Sequence, residues 1–326
     1  MKNKLLAIGL CISQFALAQT DSLPSFQFED VDSTPVKRYA SQKVLNLSPN
    51  RFISVGYEYQ GGFSYNAGTQ ADVTAARGMR VVLYTPIVST NKLILNLAGT
   101  YWRTSFPLVQ KTLNSDPFIN QLQAKGTTSF GINLTGFKPL NEKNFLIGFV
   151  STDVNYIGNV SNIDKRALTV SATGIYGWKK GENLMWGLGV SRTYRMGRVL
   201  HLPVLLYNRT FNSQWGIEAL LPARAHVRRN FNAKNILLAG YELEGNQHAI
   251  YGTNNNWYLQ RGEIKTRLIY ERSLYKFWWV SIQVGLRANG RFTVVNTYDG
   301  KEANEVIKPT LGNALYGNIS LNLVSL

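Results

Sequence analysis

Charged side chains that recur at every second position are the residues of this sequence best placed to do chemistry. Nine of them lie in segments where apolar residues occupy the alternate positions: Glu58, Arg80, Glu218, Arg228, Glu242, Glu244, Lys265, Arg267 and Arg287. If those segments are strands, the charged and apolar residues point to opposite faces, so the nine charges face a shared interior. Because a lone charge in a narrow, weakly polar space is costly, both signs together predict a network of ion pairs. Such a network either stabilises the fold or lines a charged constriction that selects solutes.

Histidines are the second set of candidates, and there are three of them: His201, His226 and His248. His226 lies two residues from Arg228 in a predicted strand and is the candidate base of a lipid-hydrolysing enzyme. A serine hydrolase needs a nucleophile within reach of such a base, and the sequence has no Gly-x-Ser-x-Gly elbow. With a single cysteine, Cys11, and no phosphate-binding loop, dinucleotide fingerprint or metal-ligand cluster, we expect no cofactor and no metal. An enzyme is therefore the minor alternative.

Residues 1–18 have the composition of a secretion signal. Lys2 and Lys4 provide a basic start, the apolar stretch 5–17 is too short to span a bilayer as a helix, and a small-x-small cleavage pattern ends it. We expect residues 1–18 to be removed, which leaves a chain without a thiol. Residues 19–50 contain three prolines and little alternation, and are predicted to form an extended segment in the periplasm or inside a lumen.

From residue 51 to residue 326 the sequence alternates with a period of two, which is typical of strands. The last segment is the clearest, because Leu315, Ile319 and Leu321 alternate with Tyr316 and Ser320. Alternation persists for about nine to thirteen residues, as in tilted strands that cross a membrane. The polar face consists mainly of Gly, Ser, Thr and Asn, which suits the inside of a closed barrel. The fold predicted is all-β, a transmembrane antiparallel β-barrel; a secreted soluble β-sandwich is the alternative.

Connectors alternate between short and long, as in bacterial outer-membrane barrels, which have short periplasmic turns and longer extracellular loops. We predict fourteen strands, with twelve as the fallback if residues 215–231 around Pro222 are not two strands. The predicted strands are 51–60, 76–87, 92–103, 125–138, 145–157, 166–178, 184–195, 199–208, 215–222, 225–231, 236–244, 258–272, 278–288 and 308–324.

Five tryptophans fall at predicted strand ends: Trp102, Trp178, Trp257, Trp278 and Trp279. Outer-membrane barrels carry girdles of aromatic residues where their walls meet the lipid headgroups. We therefore expect these five side chains at the two membrane interfaces.

The signal, the alternating last strand and the connector rhythm resemble Gram-negative outer-membrane β-barrels over residues 51–326. A narrower resemblance covers residues 199–245, with His-Leu-Pro-Val-Leu at 201–205, Gln-Trp-Gly-Ile-Glu-Ala-Leu-Leu-Pro-Ala at 214–223 and Ala-His-Val-Arg-Arg at 225–229. These segments are similar to an uncharacterised barrel family known only as a domain of unknown function. The resemblance implies a fold and a location in the outer membrane of a Gram-negative bacterium, and it implies no activity.

The formal net charge of +16 first suggests a nucleic-acid partner. Without residues 1–18 the chain keeps 33 basic and 19 acidic side chains, a net charge of +14. Because the chain is expected to be exported and to cross a membrane, a nucleic-acid partner is disfavoured. Many of the basic residues lie near turns, where they can contact anionic headgroups. These basic residues are Lys138, Lys143, Lys179, Lys180, Arg195, Arg198, Lys234 and Lys276. The expected partners are outer-membrane lipid, lipopolysaccharide, the barrel-insertion machinery and a small-molecule solute.

Three functions fit this reading of the sequence. The barrel is a channel or transporter for small solutes with a charged lumen, in which residues 19–50 or the loop 104–124 act as a plug. Alternatively, it is a structural or interaction barrel with a filled lumen. The third option is the rim-located lipid-hydrolysing enzyme. An open lumen favours the first, a filled lumen the second, and a cluster of His, Ser and acid the third.

Overall fold

The computed structural model describes residues 39–42, 44–67, 69–110 and 117–324 of the chain. The predicted signal at 1–18 and residues 19–38 of the predicted N-terminal segment lie outside these described residues.

Fourteen antiparallel strands form one closed wall, in which each strand pairs with the next and the last pairs with the first. They are β1 (Arg51–Gln60), β2 (Ala76–Ser89), β3 (Ile94–Ser105), β4 (Thr127–Pro139), β5 (Asn144–Ile157), β6 (Leu168–Lys179), β7 (Leu184–Thr193), β8 (Leu200–Thr210), β9 (Trp215–Leu221), β10 (Arg224–Asn232), β11 (Asn235–Ile250), β12 (Tyr258–Tyr275), β13 (Trp278–Val295) and β14 (Ala314–Val324). The predicted strand count and the antiparallel barrel are confirmed. Because the wall closes on itself, the sandwich alternative is wrong, and residues 215–231 do form two strands.

The outer surface of the wall is apolar because alternate residues point away from the interior. On β14, Leu315, Ile319 and Leu321 keep 72%, 53% and 45% of their surface exposed, whereas Tyr316 and Ser320 between them are buried. This is the arrangement of a transmembrane barrel, with apolar side chains toward lipid. None of the described helices is long and apolar enough to cross a membrane.

Connectors differ between the two ends of the wall. Turns of two to four residues join strands at one end, called here the turn end. At the other end, the loop end, the connectors are longer, with one exception at Pro222 and Ala223. This short connector makes β9 and β10 the shortest strands of the wall, with seven and nine residues.

The parts of β11, β12 and β13 nearest the loop end bend across the opening of the barrel at that end. Ala249 and Ile250 of β11 pair in parallel with Tyr156 and Ile157 of β5, although five strands separate β5 from β11 in the wall. We call residues 245–250, 258–262 and 290–295 the lid. β11 and β13 therefore extend past their predicted ends at 244 and 288, whereas the lid part of β12 lies within its predicted range 258–272. The sequence pattern ended there because the lid packs against protein on both faces and its residues no longer alternate against lipid.

An apolar cluster fills the loop end beneath the lid. It combines lid and wall residues with helix α1 (Pro117–Lys125) and with three short strands, Phe63–Ala67, Thr69–Val73 and Leu108–Gln110. Two further short strands, Glu305–Ile307 and Thr310–Leu311, lie in the last loop. The buried members are Phe63, Val73, Ala76, Phe106, Leu108, Phe118, Ile119, Leu122, Ile157, Ile250, Leu259, Phe292, Val294 and Ala314. The helix contributes one apolar face, since residues 118, 119 and 122 fall within about one turn.

The connector 194–199 packs on the outer face of the lid. Arg195 donates from Nη1 to the carbonyl oxygen of Leu243 at 2.8 Å, and its guanidinium lies 3.7 Å from Glu242. Gly197 has φ 77°, and a Cβ at this position would lie 2.6 Å from the backbone nitrogen of Arg261. Glycine permits both the left-handed backbone and the close approach. The connector is thereby fixed against β11 and β12.

Candidate functional site in the barrel interior

All nine predicted charges face the interior, and seven of them meet in one network on the side formed by β1, β2, β11, β12 and β13. Lys265 is fully buried and contacts Glu58 at 2.8 Å, Glu244 at 2.9 Å and Glu263 at 3.6 Å. Arg80 places two nitrogens on the two carboxylate oxygens of Glu244, at 3.0 and 2.9 Å. This two-point contact is the strongest geometry for an arginine and a carboxylate.

The network continues along β12 and β13. Arg267 contacts Glu242 at 2.7 Å and also donates to Glu244. Glu263 accepts from Arg261 at 2.7 Å and from Arg287 at 3.4 Å. Five cations therefore face four carboxylates in the network. The interior of this wall is nearly neutral as a whole, so the large positive charge of the chain resides mainly elsewhere.

Arg261 and Glu263 are members that the sequence reading missed. They lie four and two residues before Lys265, and the same alternation leads back to them. A register shift between Gly262 and Glu263 marks the start of the lid in that stretch. Extending the alternation by two steps is the signal that would have found them.

Trp102 was expected at a membrane interface, and the structure places it in the interior instead. Its ring lies 4.4 Å from the Arg80 guanidinium carbon, 5.1 Å from that of Arg261 and 5.5 Å from the Lys265 ammonium. Tyr316 lies on the other side of Lys265, at 4.6 Å. Cations are attracted to aromatic faces, more so where water is excluded. Position at a strand end did not reveal this role, because Trp102 has the phase of the inward residues of β3.

The other predicted girdle residues divide into two groups. Trp178 faces outward near the turn end, where its ring stacks on Trp186 at 4.4 Å, and Trp278 is 43% exposed. Trp257 instead packs against the loop-end cluster, and Trp279 is 4% exposed in a small apolar cluster with Ile236, Leu238, Ile269 and Val324. For Trp102, Trp257 and Trp279, the interface prediction is wrong: strand-end position does not fix the face on which a ring lies.

The remaining two predicted charges form a separate site near the turn end. Arg228 is fully buried and donates to Glu218 at 2.7 Å and to the hydroxyl of Thr210 at 2.9 Å. The same Glu218 oxygen accepts from the backbone nitrogen and the hydroxyl of Ser48, both at 3.1 Å. The predicted single set of charges is thus two sites, of which the second holds the N-terminal segment.

Residues 39–42 and 44–50 lie across the turn-end mouth. Backbone bonds join Ala40 to the carbonyl of Asn141 at 2.8 Å and Leu45 to that of Glu182 at 2.9 Å. The Thr210 hydroxyl donates to the Leu45 carbonyl at 2.6 Å. Two of the segment's side chains, Ala40 and Val44, are buried against inward-facing residues of the wall: Phe137, Phe145, Ile175, Met185, Val204 and Leu206.

The side of the interior formed by β4 to β7 carries mainly small polar groups, together with the carboxyl group of Asp153 on β5. Its inward residues include Asn133, Thr135, Ser171, Thr173 and Ser191, all only partly buried. Thr173 and Ser191 share a hydrogen bond of 2.7 Å between their hydroxyl oxygens. Because these side chains are short and keep accessible surface, this side of the interior is not filled by side chains.

The histidines do not assemble a hydrolase triad among the described residues. His226 faces the interior opposite Glu218 on the neighbouring strand, and its Nε2 has no hydrogen-bond partner there. The one serine–histidine contact seen in the described ranges joins the Ser129 hydroxyl to Nε2 of His248 at 3.2 Å. Both residues are buried, and Nδ1 of His248 lacks the carboxylate that a triad requires. Within the same ranges, no group of three or more His, Cys, Asp or Glu side chains could hold a metal ion.

A family model described as a domain of unknown function, DUF6268, matches residues 39–323. A search of curated protein sequences gives no match. Among solved structures, the chain is similar to an outer membrane channel from Pseudomonas putida F1, with 13% identity, coverage of 91% of this chain and 100% of that one, and a TM-score of 0.40. It is also similar to the KdgM porin (8% identity, coverage of 84% and 99%, TM-score 0.33) and to the translocator domain of the autotransporter NalP from Neisseria meningitidis (9%, 86% and 91%, 0.37).

Proposed function

Because this chain belongs to the DUF6268 family, whose function its description leaves open, we propose a function from the barrel interior: a gated channel for small polar solutes in the outer membrane of a Gram-negative bacterium. The observation that carries the proposal is the polar side of the interior along β4 to β7, where the side chains keep accessible surface. Residues 39–50 are the gate at the turn end.

The size of the wall supports a passage. Eight strands enclose an interior that side chains just fill, while sixteen to eighteen leave an aqueous channel. Fourteen strands lie between these cases and leave room beyond what short side chains occupy. Partly accessible Thr135, Ser171 and Ser191 line that room with hydroxyl groups.

Charge also bears on the class of solute. The cations of the ion-pair network are matched by carboxylates at 2.7 to 3.6 Å, so they exert little net pull on an anion. Hydroxyl and amide groups on the facing side can exchange hydrogen bonds with a solute in place of water. We therefore infer a preference for small uncharged or zwitterionic polar molecules over strongly charged ones.

Passage at the loop end is restricted by the lid and its apolar cluster. The passage along β4 to β7 ends beneath the connector 194–199, next to the short hairpin of β9 and β10. Arg195 fastens this connector through Leu243 and Glu242. A second closure at this point would complete a channel that is shut at both ends in the described state.

Lipid headgroups, lipopolysaccharide and the barrel-insertion machinery remain predicted partners. The apolar outer surface and the outward Trp178 and Trp278 support a place in a lipid bilayer. Heat-modifiable migration of the unboiled protein in gels tests whether the chain forms a barrel in detergent. Fractionation of the native cells tests whether the protein is located in the outer membrane.

Single-channel recording in planar bilayers tests the gate. Ser48→Cys combined with Glu218→Cys would join residues that contact at 3.1 Å, and the expected mature chain offers no competing thiol. We expect occasional openings for the unmodified chain, none for the oxidised double variant, and their return after reduction. Conductance that is equal in the oxidised and reduced forms contradicts the gate, and no conductance from unmodified or reduced folded barrel contradicts the channel.

The second candidate is a structural or interaction barrel with a filled lumen. The specific observation in its favour is the burial of the ion-pair network and of the loop-end cluster, which fill one side and one mouth. This candidate predicts folded barrel without conductance even after deletion of residues 39–49. The channel proposal predicts frequent openings for the same deletion.

A further inference from the structure

A cavity of about 670 Å³ lies against the wall at β5 to β8. Two rows of outward-facing residues border it, in register across the four strands. One row contains Gly148, Gly174, Val190 and Pro203, and the other contains Val150, Ala172, Arg192 and His201. Its volume falls within the range of ligand sites, which is about 300 to 1,000 Å³.

The outward lining is apolar on β5 and β6, and on β7 and β8 it is apolar except at Arg192 and His201. Val190 keeps 72% of its surface exposed, among the highest values for large apolar side chains of the described wall. A Cβ added at Gly148 or Gly174 would meet nothing within 4 Å. The outer wall therefore has a recess here that faces hydrocarbon.

Two polar side chains stand together at the loop-end edge of the recess. Arg192 and His201 are directly paired on β7 and β8, so their Cβ atoms are roughly 5 Å apart. Arg192 is held in place by contacts with the Val170 carbonyl and, at 3.2 Å, the Tyr194 hydroxyl, and it lies over the Tyr194 ring. A guanidinium has five N–H donors, and these two hydrogen bonds leave others to bind an anion.

We propose that the recess is a binding site for one anionic lipid of the loop-side leaflet. An acyl chain lies along Gly148, Gly174 and Val190, and the lipid phosphate accepts hydrogen bonds from Arg192 and His201. The basic edge favours an anionic headgroup over a neutral one, and the apolar surface below it accommodates the acyl chain.

Native mass spectrometry of the detergent-purified barrel, after incubation with phosphatidylglycerol or phosphatidylcholine of identical chains, tests the site. The unmodified chain should retain one phosphatidylglycerol in preference. Arg192→Gln with His201→Gln should lower that retention about tenfold, to the level of phosphatidylcholine, since charge-assisted bonds are lost. Gly174→Leu fills the recess and should reduce the retention of both lipids.

Matched controls come from β3, on another part of the wall. Gly99 also faces outward with open space around it, and Arg103 is an exposed outward arginine near the loop end. Gly99→Leu and Arg103→Gln should leave retention unchanged, and heat-modifiable migration should show that every variant is folded. The proposal is overturned if the site and control variants retain lipid alike, or if Gly174→Leu disrupts a dimer while lipid retention stays the same.

Discussion

The two ends of the barrel are closed by different kinds of structure. At the loop end, fourteen apolar side chains from the wall, the lid, α1 and the short strands are buried together. At the turn end, the segment 39–50 buries few apolar groups and is held mainly by single hydrogen bonds. Apolar burial stabilises by about 25 cal/mol per Å², whereas a hydrogen bond contributes about 0.5 to 1.5 kcal/mol net. We therefore expect the loop end to be part of the folded core and the turn end to open without unfolding of the barrel.

The largest expected effect comes from the loop-end cluster. Phe118 is fully buried, and its ring centroid lies 6.3 Å from that of Phe292. Phe118→Ala should lower the free energy of unfolding by about 3 to 5 kcal/mol, because it removes a buried ring and leaves a cavity. Urea unfolding of the protein in lipid vesicles, followed by tryptophan fluorescence, measures this change.

Val109→Ala is the matched control at the same end, since Val109 is 55% exposed. It should change the free energy of unfolding by no more than about 0.5 kcal/mol. A loss below about 1 kcal/mol for Phe118→Ala would contradict a core at the loop end, and the contrast between the two ends would disappear.

A smaller, local effect is expected at the turn end. Ser48→Ala with Thr210→Val removes hydrogen bonds to Glu218 and to the Leu45 carbonyl, worth together about 1 to 3 kcal/mol. Because these bonds hold the segment, its opening should increase roughly 5- to 150-fold. Thr210→Val also removes the acceptor of the Arg228 hydrogen bond inside the wall, so the barrel should lose some stability, but less than the segment. Hydrogen exchange at residues 39–50 measures the opening of the segment, and hydrogen exchange at β14 measures the stability of the barrel.

Thr173→Val serves as the control for this pair, since it removes an interior hydroxyl that bonds to Ser191 and does not touch the segment. Its exchange at residues 39–50 should equal that of the unmodified chain. If the double variant instead lowers the stability of β14 as much as it opens the segment, the turn end is part of the same cooperative core as the wall.

The contrast between the two ends was only partly predictable from the sequence. Fourteen strands could be predicted because each lipid-crossing segment must alternate between two solvents, as Leu315 to Leu321 do. The lid parts of β11 and β13 could not, since Ile250 and Val294 are buried between layers of protein and carry no two-sided pattern. Alternation also placed Glu58 and Lys265 inward, but it could not show that Glu218 and Arg228 belong to another site. That separation depends on distances around the barrel, which a linear sequence does not contain.

The smallest expected effect concerns the polar edge of the loop end. Asp164 is 49% exposed and accepts hydrogen bonds from the Tyr251 hydroxyl and the Arg166 backbone nitrogen, each at 2.8 Å. Burial alone would raise the pKa of Asp164, but the bonds from Tyr251 and Arg166 outweigh it and lower that pKa below its usual value of 3.8. A lowered pKa in the folded state means that the carboxylate stabilises the loop above the ordinary value and that this contribution is lost as the pH falls through the folded pKa.

Residues 158–167 should accordingly become more sensitive to an acid protease as the pH falls below 3.8 and through the folded pKa, while the apolar cluster beneath them stays protected. Asp164→Asn cannot ionise, so its cleavage in this loop should vary less with pH than that of the unmodified chain. Cleavage elsewhere in the barrel, normalised to the activity of the protease at each pH, provides the reference. Parallel pH profiles for the two proteins would show that Asp164 does not hold this loop. The polar edge of the loop end would then owe its order to the apolar cluster alone, which would make the contrast with the hydrogen-bonded turn end sharper.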